Sequence, residues 1–356
     1  MKKAAGILLL VLLVAAFALP GSADMNKYST VFMDTFDTVI SLIGYAENQE
    51  TFDARAAETH AMYLHLHKLF DTYNSYADEG ITSVCDVNRQ AAVEPVKVDP
   101  ILFGLLTFCK SNYELVNGQT NVAMGSVLSI WHEYREAGLK DPSRAQIPDM
   151  QKLQQAAQHT DLEQVQIDPQ ASTVYLPDQE MSLDVGAIAK GYATKRLAET
   201  LEEAGVTSAL LSLGGNVETI GTKADGKPWR VGVQNPDTSA AQSYLKVVNL
   251  NDSCLVTSGT YQRYYEVDGV RYHHIINPDT LMPWNKYDSV SILCGDSALA
   301  DALSTAVFNM DPEEGRAFIE AQDGVEALWV FPDGTEMEIC RFPYSGAQCR
   351  RSKCRR

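Results

Sequence analysis

Apolar and polar positions along this chain follow two periods, and each change of period marks an element. Residues 28–42 alternate Val, Ile, Phe and Thr with polar neighbours, the pattern of a strand, with Met33-Asp34-Thr35 inside it. Residues 48–73 switch to helical spacing: Ala56, Ala57, Met62, Leu64, Leu66, Leu69 and Phe70 make one apolar face. Asp71-Thr72-Tyr73-Asn74-Ser75-Tyr76 closes that helix in polar and aromatic residues. A second helix is predicted over 100–116, stopped by Asn117-Gly118. Residues 142–170 are polar and predict a short helix and a crossing loop. Val165-Gln166-Ile167 and Thr173-Val174-Tyr175-Leu176 then read as a hairpin.

The second half is organised around Asp184-Val185-Gly186-Ala187-Ile188-Ala189-Lys190-Gly191-Tyr192, a small-residue turn leading into a helix over 187–204. Ala189, Ala193, Leu197 and Leu201 recur every four residues and predict one buried stripe, with Gly205 as the stop. A buried strand over 209–213 follows, then Gly214-Gly215-Asn216, where paired glycines permit a tight turn or close approach of a ligand. Further strands are predicted over 229–233, 244–250, 256–260, 290–294 and 327–331. A tyrosine-rich hairpin over 261–272 turns at Asp268-Gly269, and a helix covers 298–309. The fold class is therefore α+β, with mixed but mainly antiparallel sheets and packed helices.

Charge and the two ends change the picture. The formal net charge is −17. Setting aside Lys2, Lys3 and the five positive charges of the last eight residues leaves the body near −24, a surface that repels nucleic acid. Met1-Lys2-Lys3, an apolar run and Gly21-Ser22-Ala23 form a secretory signal over 1–23, so export is expected; an uncleaved anchor is the rival reading. One domain over 24–340, built as two intimate subdomains, would precede a basic tail over 341–356 that carries Cys349 and Cys354. Such a tail is a solvated end or a contact for anionic lipid. Cys109 and Cys294 sit in apolar runs and are expected as buried thiols.

The residues alone narrow the chemistry. The chain contains neither G-x-G-x-x-G nor G-x-x-x-x-G-K-[ST], so the Rossmann and Walker phosphate loops are excluded. Ser258 in Thr257-Ser258-Gly259 is not a nucleophile elbow. The helix start after Asp184, with Lys190 in its first turns, suits a phosphate, though Asp184 also reads as a cap for its own helix. Asp301 and Thr305, four apart, offer hard oxygen atoms of the kind magnesium takes; their small apolar neighbours mean that a buried Asp301 needs a partner. His60, His65 and His67 lack a pattern of acidic partners and read as ordinary surface or core histidines.

Taken together, Asp184 to Tyr192, Leu213-Gly214-Gly215-Asn216, Thr257-Ser258-Gly259, His274-Ile275-Ile276-Asn277-Pro278 and Ala300-Asp301-Ala302-Leu303-Ser304-Thr305 resemble, in order, the motifs of the ApbE family of FAD:protein FMN transferases. The resemblance spans 33–331. It implies an ApbE-like, T-fold-like architecture and FAD as the donor. It implies contacts to FAD from Met33, Tyr76, Ala123, Met124, Asp184, Lys190 and Ile275. It also implies Mg2+ held by the Ala187 carbonyl, Asp301 and Thr305, with Ser304 as a further candidate. The chain departs from the family at Asp34, where glycine is usual, at Asn121-Val122-Ala123-Met124, and at Thr280-Leu281.

The reaction so implied is Mg-dependent transfer of FMN from FAD to a threonine or serine hydroxyl of an acceptor protein, releasing AMP. Lys190 would add positive charge and His274 would act as base, with His273 the more structural of the two histidines. The alternatives are Mg-dependent FAD hydrolysis to FMN and AMP, or an exported protein that only binds FAD. The expected partner is an exported or membrane redox protein that becomes flavinylated, at the cell envelope.

Overall fold

The computed structural model describes residues 25–340; the expected signal over 1–23 and the basic tail over 341–356 lie outside the described residues. The early elements are β1 (Asn26–Phe32), β2 (Ile40–Ala46), α1 (Gln49–Leu69), α2 (Val84–Arg89), β3 (Val96–Lys97), α3 (Pro100–Ser111), α4 (Gly125–Lys140) and α5 (Met150–Ala156). Next come β4 (Gln166–Asp168), β5 (Thr173–Tyr175), α6 (Ala189–Glu203), β6 (Ala209–Leu213), β7 (Asn216–Ile220), β8 (Trp229–Gln234), β9 (Tyr244–Leu250) and β10 (Cys254–Gly259). The chain continues through β11 (Tyr264–Val267), β12 (Val270–His273), β13 (Ser289–Cys294), α7 (Ser297–Phe308), α8 (Pro312–Glu320), β14 (Glu326–Val330) and β15 (Glu336–Ile339).

An eight-stranded sheet in the order β1-β2-β6-β7-β10-β13-β14-β15 forms the frame, and every neighbouring pair in it is antiparallel. Its central strands read as continuous apolar runs because both faces are covered. Successive side chains alternate between two cores: Leu211, Val256, Ile292 and Trp329 enter the main one, while Leu210, Leu255 and Leu328 enter a second. Helices α1, α6 and α7 supply the main core. The β8–β9 ribbon closes the second through Trp229, Val231, Val233 and Leu250. A third cluster joins α4, α5 and the β11–β12 hairpin around Trp131 and Tyr265. Among the described residues no helix is long and apolar enough to cross a membrane.

Several expectations need correcting. The strand expected over 28–42 is two strands of one hairpin, paired from Asn26↔Ala46 to Phe32↔Ile40. Phe36 and Asp37 take positive φ of 54° and 50°, which breaks the alternation and puts Met33-Asp34-Thr35 in the loop. The helix expected to reach 116 stops at Ser111, and α6 starts at Ala189 rather than Ala187. A short strand, β15, follows the one expected to be last. Gly214 and Gly215, at φ +54° and +100°, are the two central residues of the β6–β7 hairpin, since Leu213 pairs with Asn216. Cys109 and Cys294 are buried thiols as expected, and Cys294 faces Cys254 across β10–β13 with Sγ atoms 3.9 Å apart.

Candidate active site

Helices α6 and α7 cross where α6 begins, and the crossing depends on a glycine. A Cβ on Gly191 would lie 2.2 Å from the Ser297 carbonyl oxygen and 2.5 Å from Cβ of Asp301. This closeness lets the Gly191 N–H, one of the donors left open at a helix start, bond Asp301 Oδ2 at 2.7 Å. Asn216 Nδ2, just past the glycine turn, donates to the same oxygen at 2.9 Å. Both bonds fall on Oδ2, so Oδ1 is left to the cavity that Asp301 lines. The side chain is 3% exposed. Burial raises its pKa, while Lys190, the Gly191 N–H and Asn216 act the other way.

That cavity, about 750 Å³, has a size suited to a large small-molecule ligand. Ala187, Lys190, Asp301 and Thr305 share one part of its wall. Ser304, the further metal candidate, is turned away: it is fully buried, bonds the Asp301 carbonyl at 3.0 Å and meets Ser258 Oγ at 2.8 Å. Its work is to fasten α7 to β10. Asp184 sits on the wall and caps the turn before α6, accepting the Gly186 N–H on Oδ1 at 2.8 Å. Asp184 does not cap the helix itself, whose N-cap position is Ile188 and carries no side-chain cap bond; it closes only the turn that precedes it. Burial raises its pKa; the Gly186 N–H, His132, the Tyr73 hydroxyl and Arg135 offset this.

The adjacent histidines sit in different settings. His273 is 2% exposed, accepts the Ile275 N–H on Nδ1 and bonds the Trp284 carbonyl through Nε2, so both ring nitrogens are used structurally. Burial lowers its pKa to about 4. His274 lines the cavity, and its Nδ1 lies 3.3 Å from the Arg263 carbonyl oxygen. A carbonyl only accepts, so Nδ1 carries the hydrogen and Nε2 keeps the lone pair. Burial, then Arg263 and Lys190, hold His274 well below the usual histidine pKa, so the ring is a neutral base at neutral pH.

Of the remaining expected contacts, Tyr76, Met124 and Ile275 line the cavity. Tyr76 donates its hydroxyl to Asp71 Oδ2 at 2.9 Å. Met33 and Ala123 are not brought to the wall. Met33 is 74% exposed at the outer end of the β1–β2 loop, and Phe36 to Val39 of that loop face the cavity instead. Phe36 is drawn inward by packing against Tyr63, His67 and Phe70. Ala123 is fully buried behind Met124.

The sequence reading missed two arginines. Arg135 on α4 and Arg263 before β11 join Lys190 on the wall, which also carries Asp37, Asp71, Asp184 and Asp301. The loop after α1 is built on Asp71, whose Oδ1 accepts the Tyr73 and Asn74 N–H groups at 2.7 and 2.9 Å. This is the polar, aromatic stretch that the sequence marks as the end of the helix, an Asp followed by Thr-Tyr-Asn being a turn signal.

Comparison with known proteins gives a consistent picture. The model of the ApbE family matches residues 36–329. A Treponema pallidum protein described as FAD:protein FMN transferase is 36% identical over 294 residues, 78% of this chain and 79% of that one. A Klebsiella pneumoniae protein of the same description is 33% identical over 250 residues, 70% of this chain and 75% of that one. Among solved structures, the ApbE protein of Thermotoga maritima superposes with a TM-score of 0.75 at 26% identity, over 88% of this chain and 96% of that one. The flavin transferase ApbE of Vibrio cholerae shares the fold, with a TM-score of 0.72 at 24% identity, over 88% and 97% of the two chains.

Proposed function

The chain belongs to the ApbE family and is an enzyme that transfers FMN from FAD to protein, and we propose that the acceptor group is a threonine or serine hydroxyl and that the reaction needs Mg2+. The observation that carries the proposal is the α6–α7 corner, where Ala187, Lys190, Asp301 and Thr305 border one cavity. Among the described residues no cluster of three or more His, Cys, Asp or Glu side chains is placed to hold a metal. The corner fits magnesium in another way: one carboxylate with a free Oδ1, a hydroxyl and a carbonyl are hard oxygen donors, and substrate phosphate and water complete such a shell. Bound there, Mg2+ would supply Lewis-acid neutralisation of the pyrophosphate.

The protein's own groups do the rest. Lys190 sets a positive charge against the pyrophosphate. His274 takes the proton of the acceptor hydroxyl on Nε2 as that oxygen bonds to the FMN-side phosphorus. The phosphoanhydride bond breaks, and AMP leaves with the bond's electron pair. Arg135 and Arg263 add two further positive charges, and Tyr76, Met124 and Ile275 give the ring system apolar and aromatic contact.

FAD, Mg2+ and a candidate acceptor, followed by mass spectrometry, test this reading. A rise in acceptor mass by one FMN is expected. Free FMN with an unmodified acceptor would support hydrolysis, and unchanged FAD would support binding alone. His274→Gln keeps a polar side chain but cannot take the proton, so transfer should fall about 100-fold or more. FAD binding, read by flavin fluorescence, should persist. An unchanged rate would remove His274 from the reaction.

We further propose that the enzyme is exported and acts on an exported or membrane redox protein at the cell envelope. The support is the signal read over 1–23. Separating the compartments of cells that express the full chain, and probing each for the enzyme, tests it.

A further inference from the structure

Behind the corner, on the side away from the cavity, Ser297 Oγ lies 2.8 Å from the Gly191 carbonyl oxygen and 2.5 Å from Glu218 Oε2. A hydroxyl has one proton, and a carbonyl can only accept. If Ser297 gave its proton to Glu218, two bare oxygens would face each other at 2.8 Å. Both contacts are satisfied at once only when Ser297 donates to Gly191 and Glu218 carries a proton that it donates to Ser297.

We propose that Glu218 is a positioning residue held in its protonated form, and that the chain Glu218–Ser297–Gly191–Asp301 fixes the orientation of the metal-side carboxylate. The Gly191 peptide is the link: its carbonyl accepts from Ser297, and its N–H donates to Asp301 Oδ2. Ionisation of Glu218 would turn the Ser297 hydroxyl toward the new carboxylate, and the Gly191 carbonyl would keep only the donor that its own helix supplies. The first turn of α6 would then be free to tilt, taking with it the N–H that aims Asp301.

The surroundings agree. Lys195 and Glu199 on α6, Asp296 at the start of α7, Tyr63 on α1, Cys254 on β10 and Cys294 on β13 are the titratable groups facing Glu218. Lys195, the one cation among them, is paired with Asp296 at 2.5 Å. Burial pushes the Glu218 carboxyl up to about 7, with Asp296 and Glu199 adding to it and Ser297 and Lys195 opposing.

The role rests on the reading of Asp301 as the metal-side carboxylate, while the protonation can be tested without it. In the metal-free protein at pH 6, infrared difference spectra of wild type against Glu218→Gln should show a protonated-carboxyl carbonyl band absent from the variant. A group with a raised folded pKa contributes stability that is lost as pH rises from its unfolded value toward its folded one. The melting temperature of Glu218→Gln relative to wild type should therefore climb between pH 4.5 and about 7. A missing band or a flat difference overturns the protonation. For the link to Asp301, Glu218→Gln, whose amide also donates to Ser297, should keep wild-type Mg2+ affinity by calorimetry at pH 6. Above pH 7 it should bind about tenfold more tightly than wild type, while Glu218→Ala should be weakened at both pH values. Equal affinity in all three proteins overturns the positioning role. Absence of Mg2+ binding in wild type would overturn the metal reading and leave the protonation result standing.

Discussion

Asp301→Ala is expected to reduce FMN transfer about a thousandfold or more, since metal-type charge stabilisation is worth several kcal/mol and each ~1.4 kcal/mol is tenfold in rate. The fold should survive. Two donors, the Gly191 N–H and Asn216 Nδ2, lose their acceptor at a cost of roughly 1–3 kcal/mol each when left unsatisfied. Against this, the variant no longer holds a carboxylate whose pKa is raised by burial. Asp301→Asn separates the two effects, because it keeps an oxygen for the donors and removes the charge. It should melt close to wild type and be nearly as slow as the alanine variant. The checks are initial rates of AMP release and thermal melts on both proteins. A normal rate in Asp301→Asn would mean that the carboxylate charge at this corner is dispensable.

Gly191→Ala should be the most damaging change outside the residues that face the cavity. Helix propensity argues the other way, since alanine in a helix interior is better than glycine by about 1 kcal/mol. Packing decides the sign. The added methyl would meet a backbone oxygen at 2.2 Å and Cβ of Asp301 at 2.5 Å, and neither belongs to a flexible chain end. Overpacking of this kind costs roughly 1–3 kcal/mol or more. Relief requires α7 to move off α6, which carries Asp301 away from Lys190 and Ala187, so stability and transfer should fall together. Denaturant unfolding and transfer assays on the same preparation test this. A variant as stable and as active as wild type would show that the helix crossing has slack.

Much of this corner was legible in sequence because its signals are local. Asp301 and Thr305 are four apart on one helix, Asp184 to Lys190 is a single turn into another, and the short apolar runs of β6, β10, β13 and β14 marked those strands directly. What escaped notice depends on contacts distant in sequence. The β1–β2 break lies at Phe36 and Asp37, which adopt the left-handed region without the glycine or asparagine that announces it, held by packing against α1. Met33 carries a family motif, yet its exposure follows from where the hairpin turns, which its own neighbours do not dictate. Glu218 reads as one of three polar residues in a short strand until Ser297 is seen beside it. Gly191 reads as one more small residue until α7 is placed against it.

The bond from the Gly191 N–H to Asp301 has a consequence for how this protein opens. An ordinary helix amide is shielded from solvent exchange by its own helix, so its protection reports local fraying. This amide is shielded by a carboxylate 110 residues further along the chain, brought to it only when α6 and α7 are both docked on the sheet. Its exchange rate therefore reads the opening of the α6–α7 contact itself, and a ligand that bridges the two helices should slow it even where no other helix amide changes.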